Sequence, residues 1–316
     1  MPQKEPRIVV VDSQKLSSIQ TCMKHYDLCH IQGYEPHVKP DFFERGSLTH
    51  DGLMLYYRLK KIRSKWQSDT TLSLLNEVSL DNDLLEMMKS SISLKDCCHS
   101  HQDIVDICAI SMNCLGLKTA LDFTDIENNI KTFHQYTEHY ENDGWDNILA
   151  VEEVGSFVLW QNDDLIIVYE MKIDLIISLQ NMPILPVDHK TGNRRVDPNE
   201  MSNQFRGYCV GLKVNNLFQN QIGFQKTLKP VEKFQRHLLS WNDDILNEWR
   251  DESAWWIRHG LDLIDRGIFP HNLTSCDKYS GCIYRPVCKK EPLIRQLTLN
   301  ASFDHREEKW DVGKGL

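Results

Sequence analysis

The chain has 316 residues, 41% hydrophobic and 26% charged, a balance that allows a sizeable buried core and excludes disordered and collagen-like classes. Its formal net charge of −9, from 36 basic and 45 acidic residues, excludes a bulk polyanion binder, so any nucleic-acid contact must be local. No apolar run reaches the roughly 20 residues of a membrane span, and the opening MPQKEPRIVVVDSQK is too short in apolar residues for a signal peptide. A cytoplasmic protein with no membrane contact is therefore expected, its ten cysteines reduced and of interest for metal-ligand spacing rather than disulfides. The 15 Gly and 11 Pro are scattered, which predicts one domain over residues 1–316.

Residues 13–31 carry Leu16, Ile19, Cys22, Met23 and Tyr26 at helical spacing, predicting one amphipathic helix with Ser13 or Ser17 as its N-cap. After a loop flanked by Pro36 and Pro40, the segment from Gly46 predicts a second helix with a basic far end of Arg58, Lys60, Lys61, Arg63 and Lys65. Residues 70–142 show helical stretches without strand-like alternation and read as a helical insertion. From residue 149, LAVEEVGSFVLW, DDLIIVYEMKIDLIISL and PILPVDHKT predict a strand meander with turns at QNDD and QNMP, the start of a sheet core over 149–228. A helix is expected over 199–214, a strand over 222–228, and one long Trp-bearing helix from Pro230 to Arg266, ended by Gly267. The Cys-rich stretch 268–290 and a loosely ordered polar tail close the chain.

The sharpest local signal is Asp188-His189-Lys190. On a strand, positions i and i+2 share a face, so Asp188 and Lys190 project together, and Asp174 on the neighbouring predicted strand places a second carboxylate beside them. Hard oxygen ligands of this kind suit Mg²⁺ or Mn²⁺, which acidify a bound water and neutralise charge on a phosphodiester. The lysine can orient the attacking water or stabilise developing negative charge. An acidic residue inside the apolar run around Asp174 carries a burial cost that calls for a reason. The downstream helix offers Gln204 and Tyr208 one turn apart on one face.

Together, Asp174, Asp188-x-Lys190 followed by Thr191-Gly192, and Gln204-x-x-x-Tyr208 resemble the core of the PD-(D/E)xK nucleases, in particular the RecB-like branch. Gly46-Ser-Leu-Thr-His50 is similar to that branch's Gly-x-x-x-His motif. The stretch Leu16 to Cys22 with Tyr26 resembles its opening helix, with Met23 in place of the usual Pro. The resemblance implies a restriction-endonuclease-like α/β fold, a mixed β-sheet flanked by helices. It implies His50, Asp174 and Asp188 as metal ligands with a backbone carbonyl near His189, Lys190 as the catalytic lysine, and Gln204 and Tyr208 holding substrate or the site's geometry. Glu153 matches a frequent acidic position in such proteins, and Glu152 is an equal candidate.

Cys276, Cys282 and Cys288 stand with five residues between each pair, and three thiols need a fourth partner to close a Zn²⁺ site or a [4Fe-4S] cluster. Cys22 is the obvious donor and Cys29 a competing one. In the iron-sulfur members of the resembled branch, such as the AddB nuclease and the CRISPR-adaptation nucleases, one N-terminal and three C-terminal cysteines hold a [4Fe-4S] cluster that joins the ends. The resemblance thus implies a clasp between 268–290 and the 13–31 helix, with structural Zn²⁺ as the alternative, because sulfur ligation alone does not choose between them. Cys97, Cys98, Cys108, Cys114 and Cys209 show no such pattern and read as buried fillers.

Arg45, the basic end of the second helix, Arg194, Arg195, Arg285, Lys289 and Lys290 could line a path for a phosphate backbone, while Trp255 and Trp256 are expected in the core. The expected function is a metal-dependent DNA nuclease acting on free ends or single strands. The alternative is a nuclease-fold DNA-binding or assembly subunit, and the helical insertion is the expected site of any protein partner.

Overall fold

The computed structural model describes residues 5–37, 41–63, 81–91, 100–145, 147–193, 197–225, 227–277 and 281–306. The chain opens on a strand that the sequence reading passed over, β1 (Arg7–Val11). Asp12, not Ser13 or Ser17, caps α1 (Ser13–Thr21), its carboxylate accepting from the Lys15 amide at 2.7 Å. The single helix expected over 13–31 breaks at Cys22, whose backbone is extended, and continues as α2 (Met23–Tyr26) and a π-helical turn (Asp27–Ile31). After β2 (Tyr34–Pro36), α3 (Asp41–Arg63) starts five residues before Gly46. Gly46 therefore sits inside a helix, where a Cβ would come within 3.0 Å of Thr191 Oγ1; its absence lets the helix approach the sheet closely.

The range read as an insertion holds α4 (Asn82–Ser91), α5 (His101–Gly116) and α6 (Phe123–His139). Residues 70–80 and 92–99 of that range lie outside the described residues. These helices are not an appendage: Met88, Ile104, Cys108, Met112 and Phe133 form one continuous core with Leu53 and Tyr57 of α3 and with Leu175, Leu185 and Val187 of the sheet. They are half of the apolar cover without which one sheet face would be wet.

The meander forms as its alternating apolar runs predict, as β3 (Ile148–Gln161), β4 (Leu165–Leu179) and β5 (Met182–Gly192), all antiparallel. Then α7 (Asn203–Leu212) crosses to β6 (Asn216–Gly223), which runs parallel to β5 and starts six residues before the strand expected at 222. The long helix expected from Pro230 to Arg266 is three elements: α8 (Pro230–Lys233), the strand β7 (Phe234–Ser240) antiparallel to β6, and α9 (Asp243–Asp265). Asn242 caps α9 by accepting from Ile245 N at 2.9 Å, which marks the break that the Pro and Gly limits had hidden. On α9, Trp249 is buried, whereas Trp255, expected in the core, is half exposed and stacked on His259. The Cys-rich stretch holds α10 (Arg285–Cys288), and the tail expected to be loose after it forms α11 (Pro292–Ser302) and β8 (Phe303–His305), which pairs with β2; residues 307–316 lie outside the described residues.

The result is a mixed sheet flanked by helices, in the order β1-β4-β5-β6-β7 with β3 along the other edge of β4. α3 to α6 cover one face, and α1, α7 and α9 cover the other through Leu16, Phe205, Trp249 and Ile257. A small third cluster of Leu28, Tyr284, Val287, Leu299 and Phe303 ties the π-helical turn to the C-terminal elements. No described helix is long and apolar enough to cross a membrane.

A buried polar hub stitches the α6 layer to the sheet. The Tyr136 hydroxyl lies 2.7 Å from that of Tyr57 and accepts from Asn220 Nδ2 at 2.9 Å and from Arg236 Nη2 at 3.3 Å. Arg236 is held between the rings of Tyr140 and Trp145 and pairs with Asp143 at 2.7 Å. Removing the shared hydroxyl leaves buried donors without an acceptor, so Tyr136→Phe should lower the unfolding free energy by about 1–3 kcal/mol, read from urea denaturation followed by circular dichroism.

Candidate active site

The site forms where two strands part. β5 pairs with β4 only as far as Val187 opposite Leu175, then follows β6 from Val187 to Gly192. On the same edge of β4, β1 pairs only Leu165 to Tyr169, so residues 170–174 face a gap that no strand among the described residues fills. Backbone groups opened in this way must find partners, and side chains supply them. His189 N–H donates to Asp174 Oδ2 at 2.7 Å, and the Tyr208 hydroxyl donates to the Lys172 carbonyl.

Asp174 also marks a slip in the alternation of β4. Ile167, Tyr169, Met171 and Ile173 pack into one core, Leu175 and Ile177 into the other. Opposite the slip on β3, between the pairs Val151–Leu175 and Glu153–Ile173, Glu152 takes a left-handed backbone with φ of 57°. For a non-glycine residue this conformation costs on the order of 1–3 kcal/mol and tends to collect at functional sites. It turns the Glu152 carboxylate into the cleft, where it meets Lys172 Nζ at 2.5 Å. Glu153, its equal in the sequence reading, is exposed and does not line the cleft.

The remaining residues converge from three elements. Lys190 Nζ lies 2.8 Å from Asp188 Oδ2, across the shared strand face, and donates to Gln204 Oε1 at 2.8 Å. Gln204 Nε2 then donates to the Tyr208 hydroxyl at 2.7 Å, so α7 continues the chain of contacts back to β4. The helix comes this close because Gly207 lacks a Cβ, which would stand 2.5 Å from the Tyr169 ring. From α3, His50 Nδ1 approaches Asp174 Oδ2 to 3.6 Å. The His189 ring points away from the cleft, stacked on Tyr57 and 2.7 Å from Asn220 Nδ2; only its backbone belongs to the fork. His50, Glu152, Asp174, Lys190, Gln204 and Tyr208 line a cleft of about 720 Å³, while Asp188 is buried beneath Lys190. Sequence reasoning missed Lys172 and Asp51, which also line it, although Lys172-x-Asp174 repeats the i, i+2 spacing of Asp188-x-Lys190 and was legible as such.

The electrostatics are those of a site short of positive charge. Burial, reinforced by the Glu152 charge and opposed by Lys190, pushes the Asp174 carboxyl up to about 7. Burial pushes Asp188 up to about 6 against the pull of Lys190. Burial also lowers His50, leaving a neutral imidazole with a lone pair to offer. Two carboxylates are donor chemistry for Mg²⁺ or Mn²⁺, with the imidazole a further donor, and a cation would offset the burial and the like charge that raise both acids. Among the described residues no three His, Cys, Asp or Glu side chains are drawn into a closed ligand shell; the acids are held instead by the His189 amide and Lys190.

Of the expected phosphate path, Arg45 is paired with Asp125 at 2.7 Å, Lys60 with Asp143 at 3.2 Å, and Lys61 donates to the Leu149 carbonyl at 2.6 Å. These three serve the fold, while Lys65, Arg194 and Arg195 lie outside the described residues. Cys22, Cys276 and Cys282 line a second cavity of about 480 Å³. Burial and the neighbouring Cys282 thiol push up that of Cys288, which packs beside them. Cys29 faces Arg306 and the third cluster instead. Cys108, Cys114 and Cys209 are buried, and Cys97 and Cys98 lie outside the described residues.

No family profile matches the chain, and no curated protein does. Among solved structures it is similar to a candidate exonuclease from Eubacterium rectale, at 11% identity and a TM-score of 0.42, covering 91% of this chain and 92% of that one. It is also similar to SSO0001, at 12% identity and a TM-score of 0.31, covering 57% of this chain and 74% of that one.

Asp174 and Asp188 bind protons in the fold at pH values where the unfolded chain, with carboxyls near 3.9, does not. The contribution of these two acids to the stability of the metal-free fold should therefore be lost as pH rises from about 4 to about 7, against the buried His50 and His189, whose lowered pKa acts in the opposite direction. In chelator, Asp174→Asn should melt above the wild type at about pH 8, with the gap closing towards about pH 4; thermal melts across that range read it directly.

Proposed function

We propose that the protein is a metal-dependent DNA nuclease of the RecB-like PD-(D/E)xK type, hydrolysing phosphodiesters at free ends or in single strands. The observation that carries this reading is the convergence of Asp174, Asp188 and Lys190 at the β4–β5 fork, with His50 3.6 Å from Asp174. His50, Asp174, Asp188 and the His189 carbonyl would hold Mg²⁺ or Mn²⁺. Such an ion supplies an acidified water and neutralises charge on the scissile phosphate.

The chain's own residues do the rest. Lys190, held between Asp188 and Gln204, presents its ammonium where negative charge develops on the phosphate. Gln204 and Tyr208 fix that lysine relative to β4, and a preset geometry is worth more than an extra contact in such a site. We further assign Cys22, Cys276, Cys282 and Cys288 as the ligands of a [4Fe-4S] cluster. The reading is supported by Cys22, Cys276 and Cys282, which come from both ends of the chain and line one cavity, and by Cys288, whose thiol feels the other three. Zn²⁺ is the alternative occupant of the same sulfurs.

Anaerobically purified protein should degrade end-labelled DNA in Mn²⁺ or Mg²⁺, and Asp188→Ala and Lys190→Ala should each lower the rate at least about a hundredfold, as expected for loss of a group acting in the transition state. Mn²⁺ should raise the melting temperature of the wild type and not of Asp188→Ala. A wild type that binds DNA without cutting it would instead make the protein a binding or assembly subunit. Independently, elemental analysis should find about four iron and four sulfide per chain, and Cys282→Ser should lose both and melt earlier; zinc in their place would decide for the alternative.

A further inference from the structure

We infer that Phe42 and Phe43, on the first turn of α3, form a platform on which the unpaired bases of a strand entering the cleft stack. The inference rests on the nuclease reading above and specifies how its substrate is held. Both rings are more than half exposed, at 55% and 54%, and lie 4.4 Å apart between centroids. They line the same cleft as His50, Asp174 and Lys190, and Phe43 also walls the cysteine cavity. Two adjacent aromatics half exposed at the mouth of a cleft contribute little core burial to the fold, and the ring surface they do not turn towards each other is open to a planar partner.

Position and charge point to bases. Phe43 precedes His50 by seven residues on one helix, about 10 Å along its axis, or about three stacked nucleotides at roughly 3.4 Å each. The lysines lining the cleft, Lys172 and Lys190, are ion-paired with Glu152 and Asp188, and Asp12, Asp51 and Asp174 add negative charge. The chain's own side chains there offer little free positive charge, so beyond the phosphate held by the metal the affinity for a strand comes from contacts to its bases, which stacking provides independently of sequence.

The test compares wild type with Phe42→Ala/Phe43→Ala and Phe42→Tyr/Phe43→Tyr, measuring anisotropy of labelled oligothymidylate and of an abasic strand of equal length, in Ca²⁺ across a salt series. The alanine pair should bind oligothymidylate at least about tenfold more weakly, with the abasic affinity and the salt slope unchanged, and the tyrosine pair should restore binding. Equal binding by the alanine pair, or equal loss on both strands, overturns the platform while leaving the cleavage reading in place. So does a change from dimer to monomer on sedimentation, which would assign the rings to a contact between copies. A wild type that neither binds nor cuts any strand overturns the nuclease reading and the platform with it.

Discussion

The geometry of the whole site depends on one constraint, the early parting of β4 and β5. A strand cannot keep two partners on one edge, so once β5 leaves β4 at Val187 to follow β6, backbone groups on both sides of the gap must be satisfied by something else. Asp174 and Tyr208 do this, bridging to the His189 amide and the Lys172 carbonyl. The side chains that would perform chemistry are therefore also those that make the fork tenable. That dual role explains why an acid sits inside the largely apolar β4 and why a tyrosine hydroxyl is buried at the centre of a helix–sheet contact.

The two helical layers set how open the fork is. α3 approaches β5 through Gly46 and α7 approaches β4 through Gly207, each at a distance that a Cβ would prevent or crowd. Behind the fork, the His189 ring is clamped by Tyr57 and Asn220, which share the Tyr136 hydroxyl with Arg236. The backbone of the Asp188–Lys190 segment is thus anchored from the core side by α3, α6, β6 and β7, and the cleft side is left to the charged groups. Such an arrangement holds a carboxylate pair in place without spending cleft volume on support.

Legibility from the sequence followed locality. Asp188-x-Lys190 and Gln204-x-x-x-Tyr208 were readable because strand period two and helix period four fix which side chains share a face whatever the tertiary context. The meander was readable for the same reason. What escaped depends on contacts far apart in the chain or on one dihedral angle. Glu152 and Glu153 are indistinguishable until the left-handed backbone of Glu152 turns one of them inward. β7 hid between Pro230 and Gly267, limits that suit a helix as well. For the helices of 82–139, amphipathicity states that a face is buried without stating against what, and the structure packs that face on α3 and the sheet. β2 and β8, three residues each, pair across almost the whole chain and carry no local signal of it.

The open edge of the sheet shows how the fold handles a related problem. β3 pairs with β4 along one edge only, and a long edge strand is an invitation to further pairing. Here Arg250 donates to the carbonyls of Leu159 and Val158 at 3.0 and 3.2 Å, and Lys61 donates to that of Leu149 at 2.6 Å. Cations cap the free carbonyls near both ends of β3, and the bulges after Ile148 and Val158 add irregularity that a partner strand would have to match. Of the basic residues that looked, in sequence, like a path for phosphate, Lys61 is committed to closing this edge and Arg45 and Lys60 to seating the helical layer. The cleft itself carries its lysines paired with Glu152 and Asp188 and the further carboxylates Asp12, Asp51 and Asp174 in its lining, so little positive charge fixed in the fold is left there to attract an anion.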